Sequence, residues 1–418
     1  TSSAGLDGLV GGLNCVQTDY NNDGFVDIFV MRGGWFGEWG KHPNSLLRNN
    51  GDNTFTDVTK EAGILSFNPT QTSVWADFNN DGWVDVFIGN ETNVDTKNMT
   101  SGSRAKIHEA EFYLNKKDGT FVNIAPSIGL RFTKLIKGAT AIDANNDNLM
   151  DLYLSIMGGQ NKLMINQGGL KFKDETITYN APEPFVSFPV GSFDYNNDGF
   201  EDIFICGYST SNNTLSFETA YELLGNKPTA ALPKLYRNNG NGSFTDVTEE
   251  TKMNHSIYGM GFNYGDLDND GYLDIYFGTG DPSFESIIPN RMFKNIEGKY
   301  FEEVTFQGGF SNIQKGHGIS WGDMDNDGDQ DIYITMGGAH EGDIYQNQLL
   351  VNPMSKNNWI NIQLTGKTSN RKAIGAKVHI VTTNEQHIYR TVSSGASFGG
   401  NSFDLEIGLG NAEQIKLL

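Results

Sequence analysis

The chain has 418 residues, with 51 Asp and Glu against 30 Lys and Arg, a formal net charge of −21. That balance argues against nucleic-acid phosphate and anionic membrane surfaces as partners. The 37% hydrophobic and 12% aromatic content is enough for a large core and excludes a disordered acidic tail. No run of 18 apolar residues is present to span a membrane, and two cysteines make no disulfide framework.

In chain order, a strand-like run near Cys15 leads into an acidic loop, Asp19 to Asp27, followed by the apolar run Ile28-Phe29-Val30. The loop has the pattern Asp-x-Asx-x-Asp-Gly-x-x-Asp. It recurs at Asp77, Asp143, Asp194, Asp266 and Asp323, at intervals of 51 to 72 residues. Five copies carry Gly at position 6, which permits a left-handed turn, and the third carries Asn148.

Oxygens at positions 1, 3, 5 and 9, with the carbonyl of position 7, suit a hard cation of Ca²⁺ size. The first loop offers Asp19, Asn21, Asp23, Phe25 and Asp27, and the second Asp77, Asn79, Asp81, Trp83 and Asp85. The third offers Asp143, Asn145, Asp147, Leu149 and Asp151, and the fourth Asp194, Asn196, Asp198, Phe200 and Asp202. The fifth offers Asp266, Asp268, Asp270, Tyr272 and Asp274, and the sixth Asp323, Asp325, Asp327, Asp329 and Asp331. No Glu stands at position 12, so these are strand–loop–strand sites rather than helix–loop–helix sensors. About six structural Ca²⁺ ions are expected.

After most loops comes a second pattern, such as Leu46-Leu47-Arg48-Asn49-Asn50-Gly51 followed by Phe55-Thr56-Asp57-Val58-Thr59, with a near-copy at 235–248. Two strand runs around an Asn/Asp/Gly turn are a hairpin. Each unit therefore reads as four antiparallel strands. The chain as a whole is expected to be an all-β propeller of four-stranded antiparallel blades, seven in number, six with a calcium loop. The best helical stretch lies within 216–232. Cys15 and Cys206 fall in apolar runs and are expected to be buried. Residues 373–418 contain strand runs but no acidic loop. They are expected to supply most of the seventh blade, beside blades spanning 1–372.

These residues resemble the FG-GAP/VCBS repeats of integrin α-subunit propellers. The stretches Asn370–Val378, Val392–Asn401 and Ile407–Gly410 are similar to the ASPIC/UnbV module of the cartilage-acidic-protein-like group, which has bacterial members. The resemblance implies an extracellular, cell-surface or periplasmic location and no particular reaction.

Propeller geometry places the acidic loops on one face and the long connections 32–44, 91–111, 207–234, 278–290 and 337–346 on the other. Loops on a rigid scaffold commonly carry binding. The candidates for ligand contact are Trp35, Trp39, His42, Glu91, Arg104, His108, Tyr208, His340 and Glu341. Trp and Tyr beside polar groups suit a protein or glycan partner. Equally, the aromatics can pack the loops together and plug the channel. His42, His108 and His340 make a metal site only if their loops converge. Catalytic motifs are lacking, so no catalytic residue is assigned. The alternatives are a polysaccharide lyase or hydrolase on a propeller, and a structural subunit of a surface assembly.

Overall fold

The computed structural model describes residues 2–9, 11–92, 107–209, 213–338, 342–353 and 356–418. The repeat unit appears as five consecutive four-stranded antiparallel meanders. Blade 1 is Asn14–Thr18, Asp27–Met31, Ser45–Asn49 and Phe55–Asp57. Blade 2 is Thr70–Ala76, Asp85–Asn90, Glu111–Asn115 and Phe121–Asn123; blade 3 is Ile136–Ile142, Asp151–Ile156, Lys162–Asn166 and Phe172–Asp174. Blade 4 is Ser187–Phe193, Asp202–Gly207, Lys234–Asn238 and Phe244–Asp246; blade 5 is Gly259–Gly265, Asp274–Thr279, Arg291–Ile296 and Tyr300–Glu303. Blade 6 takes three strands in sequence, Gly316–Gly322, Asp331–Met336 and Gln348–Leu350. Its fourth is Gly399–Asn401, which pairs in parallel with the first.

Each acidic loop joins the first strand to the second, so all six stand on one face. The first strands contact one another in series from blade 1 to blade 6. Those of blades 2, 4 and 5 are buried at every residue, being covered by neighbours on both sides. The core lies between blades. Phe78, Phe112, Leu152 and Leu154 fill the space between blades 2 and 3, and Phe204, Phe262, Phe277 and Phe293 that between blades 4 and 5. Each such side chain contributes about 1.5–3 kcal/mol of hydrophobic burial.

Among the described residues the expected seventh blade is not formed. Residues 373–418 pair mostly among themselves and with one preceding strand. Asn358–Ile362 pairs with Leu405–Gly410, and Lys377–Thr382 lies between His387–Thr391 and Ile415–Leu417. Without an acidic loop and its hairpin, this segment has no meander to build. Between its strands, residues 393–398 enter the centre of the ring. Ser397 and Val190 exchange two hydrogen bonds of 2.9 Å, and Ile319 N–H donates to Phe398 O at 3.1 Å. Gly191 permits the approach, since a Cβ there would stand 2.7 Å from that of Ala396. Gly399–Asn401 then touches the first strands of both blade 6 and blade 1, and Gln17 donates to Asn401 O.

The expected helix is present as Leu215–Leu223, capped by Thr214. Cys206 is buried as expected, but Cys15 is exposed, because the first strand of blade 1 has no full blade beside it.

Candidate metal loops and the opposite loop face

All six acidic loops fold alike. The position-1 carboxylate accepts the N–H of position 5 at 3.0–3.1 Å and of position 6 at 2.7–3.1 Å. Position 5 then accepts the N–H of position 7 at 2.8–3.0 Å. These bonds curl the loop so that its remaining side-chain oxygens face inward. Oxygens of Asp266, Asp268 and Asp274, and of Asp323, Asp325 and Asp327, lie within 4.8 Å of one another.

The third loop keeps this geometry with Asn148 at φ 66° where the others have Gly at 87° to 95°. At position 3 of the fourth loop, Asn196 Oδ1 is buried and accepts no hydrogen bond, which fits an oxygen reserved for a cation. The residues present therefore suit Ca²⁺, which would supply positive charge where carboxylates crowd. Burial pushes Asp19 up to about 6, Asp27, Asp194 and Asp266 to about 7, and Asp85 and Asp151 to about 8.

Position 9 has a second role. Its Oδ1 accepts the N–H of an Asn closing strand three, namely Asn49, Asn115, Asn166, Asn238, Asn295 or Asn352, at 2.7–2.9 Å. In blades 2 to 6 that Asn also donates from Nδ2 to the position-2 carbonyl of the preceding blade, as Asn115 does to Tyr20 O at 2.8 Å. Asn49 reaches only Val26 of its own loop. Sequence reasoning left these residues without a role, although Asn recurs there in every unit.

Position 4 was likewise missed, yet it is Asn in all six loops. Asn22, Asn80, Asn197 and Asn269 donate to the position-6 carbonyl of the next loop at 2.8–3.0 Å. Between loops 3 and 4 the relay is replaced by Lys377. Its ammonium lies 2.9 Å from both Asp143 Oδ2 and Asn146 Oδ1.

Lys377 belongs to the C-terminal module, which together with the residues leading into it lies over this face and reaches every loop. Arg371 N–H donates to Asn22, Tyr389 N–H to Asn197 and Gly410 N–H to Asn269 O. The Thr368 carbonyl crowds Gly82, and Glu406 accepts from Asp323 N–H at 3.2 Å.

The opposite face divides the predicted ligand residues. Glu91 is buried against Lys137 and accepts the N–H of Trp35 at 2.6 Å. The Lys137 ammonium stands 3.1 Å from the centroid of the Trp35 ring. Burial pulls this amine down to about 8 despite Glu91. Trp35 and Tyr208 both pack edge-on against Phe188, which also meets Phe398 from the C-terminal module at 5.2 Å. Trp35, Glu91 and Tyr208 thus help to plug the channel.

His108 is buried, with Nδ1 3.2 Å from Asn68 Oδ1, whereas His42 is exposed. Arg104, His340 and Glu341 lie outside the described residues. Trp39 is 87% exposed, and Phe36, Phe67, Phe185, Phe217, Phe284 and Ile287 are exposed on the same face. The helix there is pinned to blade 5 by Glu222, which accepts from Ser256 N–H at 2.7 Å and from Arg291 at 3.2 Å and lies 2.5 Å from His255 Nδ1. Burial opposes ionisation of Glu222, but these partners hold it down at about 2.

The FG-GAP-like repeat family matches residues 19–88, 143–205 and 194–277, and the ASPIC and UnbV family matches 366–418. No curated protein matches the chain. Similar solved structures include a Trypanosoma rangeli sialidase in complex with sialic acid, at 10% identity and TM-score 0.44, covering 81% of this chain and 53% of that one. The Bacillus licheniformis rhamnogalacturonan lyase PL11 aligns at 12% identity and TM-score 0.39, covering 92% of this chain and 65% of that one. The V. cholerae biofilm matrix protein Bap1 aligns at 10% identity and TM-score 0.37, covering 82% and 61%. The chain spans between about half and two thirds of those proteins. With its acidic loops and the module seated on them, the chain is an FG-GAP-like repeat protein carrying a C-terminal ASPIC/UnbV module.

Proposed function

We propose that this protein is a calcium-stapled, exported binding propeller that docks a protein or glycan partner on the face opposite its acidic loops. The observation that carries this reading is the gathering of exposed aromatic side chains on the loop face. Trp39, Phe36, Phe67, Phe185, Phe217 and Phe284 stand on one face, while the other is covered by the C-terminal module. Exposed apolar surface gathered in this way marks interaction sites on soluble proteins. Trp39 and His42 are proposed as contact residues. Trp35, Glu91, His108 and Tyr208 hold the loops that present them.

Ca²⁺ in the six loops ties the inner strands, and weak sites of about 10⁻⁴–10⁻³ M fill outside the cytoplasm, which favours an extracellular or surface location. The division at residues 372 and 373 is proposed as the boundary between propeller and module.

A screen of the purified protein against glycans and surface proteins, repeated with Trp39→Ala and Phe36→Ala, tests the assignment. Loss of a detected interaction with unchanged melting supports it. Interactions that survive both changes place the partner elsewhere.

A further inference from the structure

The C-terminal module carries a pair of histidines that neither the acidic loops nor the opposite face uses. They come from its antiparallel strands Lys377–Thr382 and His387–Thr391. The register sets His379 opposite Tyr389 and Val381 opposite His387. Side chains alternate along a strand. Val378, Ile380 and Ile388 therefore enter the core, while His379, His387 and Tyr389 share the other face. His379 and His387 are diagonal neighbours there, close enough for ring side chains to meet.

His379 Nε2 and His387 Nδ1 stand 3.0 Å apart, and the two ring planes differ by 25°. With metal–nitrogen bonds of about 2.0–2.1 Å, that separation subtends about 90–97° at a shared ion. This is close to the right angle of a tetragonal site, which Cu²⁺ and Ni²⁺ prefer, and short of the tetrahedral angle of Zn²⁺. Between the first two, Cu²⁺ binds imidazole more tightly. Ca²⁺ takes oxygen ligands and does not compete for such a pair.

The surroundings hold the pair ready. Tyr389 lies flat on His379, with ring centroids 4.1 Å apart and planes 5° apart. Tyr389 is itself fixed, since its N–H donates to Asn197 at 3.1 Å and its ring closes over Gly199, where a Cβ would stand 3.3 Å away. The turn between the strands is closed by Thr382 N–H donating to Gln386 O at 3.0 Å. A ligand ring already ordered lowers the cost of binding.

Burial and, after it, the charge of His387 hold His379 below the ordinary imidazole range, which favours the neutral ring that a metal requires. Glu385, in the turn, is held below the ordinary carboxylate range by Lys416, its partner at 2.6 Å, and in smaller part by His387. A carboxylate thus lies within electrostatic reach of the pair. His387 is exposed, so an ion can enter from solvent and keep water on its remaining positions.

We propose that His379 and His387 chelate a tetragonal divalent transition-metal ion, Cu²⁺ by preference, on the outer face of the C-terminal module. The site is separate from the acidic loops and does not depend on the loop-face reading.

The test titrates the untagged full chain with CuCl₂ while excess Ca²⁺ occupies the acidic loops. Calorimetry is expected to show one tight Cu²⁺ per chain, and electron paramagnetic resonance an axial spectrum with hyperfine coupling to two imidazole nitrogens. His379→Ala and His387→Ala should each weaken binding about tenfold or more. His387 is exposed, so its variant should melt as the parent does without copper, which separates loss of a ligand from loss of fold. Cu²⁺ binding that survives both substitutions overturns the proposal, as does a spectrum with oxygen ligands alone. Zn²⁺ held as tightly as Cu²⁺ overturns the choice of ion.

Discussion

The acidic-loop face and the opposite face arise from the same blades but are finished differently. On the acidic face every loop is bonded to a neighbouring loop, to the C-terminal module or to both, and in the fifth and sixth loops the carboxylates gather where a cation fits. On the other face the connections differ in length, and several of their aromatic side chains stand in solvent while Trp35 and Tyr208 pack inward. One face is repetitive, and loss of its ties should be read as lost stability. The other is particular to this chain, and its changes should be read in binding.

Chelation should break this division most strongly. Each loop loaded at 100 times its dissociation constant adds about 2.7 kcal/mol, so excess EGTA should lower the melting temperature steeply and Ca²⁺ should restore it. A calorimetric scan that does not move with chelator would remove the metal from the account. Phe398→Ala comes next. It empties the contact between the C-terminal module and the Phe188 cluster and should cost about 3–5 kcal/mol in urea unfolding.

Asn115→Ala sharpens the comparison within one face. It removes donors to two buried carbonyls, Tyr20 O and Val84 O, and should cost about 2–3 kcal/mol. Asn49→Ala, with a single such bond in its own loop, should cost less. Equal losses would mean that the bond between blades adds nothing.

Glu222→Gln should destabilise by about 1–3 kcal/mol at pH 7. The folded carboxyl titrates near 2, below its ordinary 4.5. The ionised, hydrogen-bonded form therefore stabilises the fold fully above pH 4.5, and that contribution fades as pH falls towards 2. The gap between parent and variant should close over that window, and a gap constant from pH 7 to 2.5 would discount the ion-pair network. Smallest of all, Trp39→Ala should leave stability within about 0.5 kcal/mol while altering any partner interaction.

The blades and their loops were legible because a metal loop leaves a fixed spacing of Asp, Asn and Gly, and a hairpin leaves its turn residues. The two asparagine systems were visible as letters but not as function. Asn22 acts on Gly82, and Asn115 on Tyr20, and spacing within one repeat says nothing of contacts between repeats. The seventh blade was expected because strand runs at 373–418 look alike whichever partners they take. Burial of Glu91 and His108 was hidden for a related reason, since each lies in a connection whose composition suits either solvent or a plug.

The segment Gly399–Asn401 has a consequence for synthesis. It touches both the first and the sixth blade, yet it is made after every other strand of the six blades. A nascent chain therefore carries an open arc of blades, with the wall between blade 1 and blade 6 bare, until Asn401 has left the ribosome. Truncation upstream of Ser393 should remove the strand that joins the two ends as well as a C-terminal module.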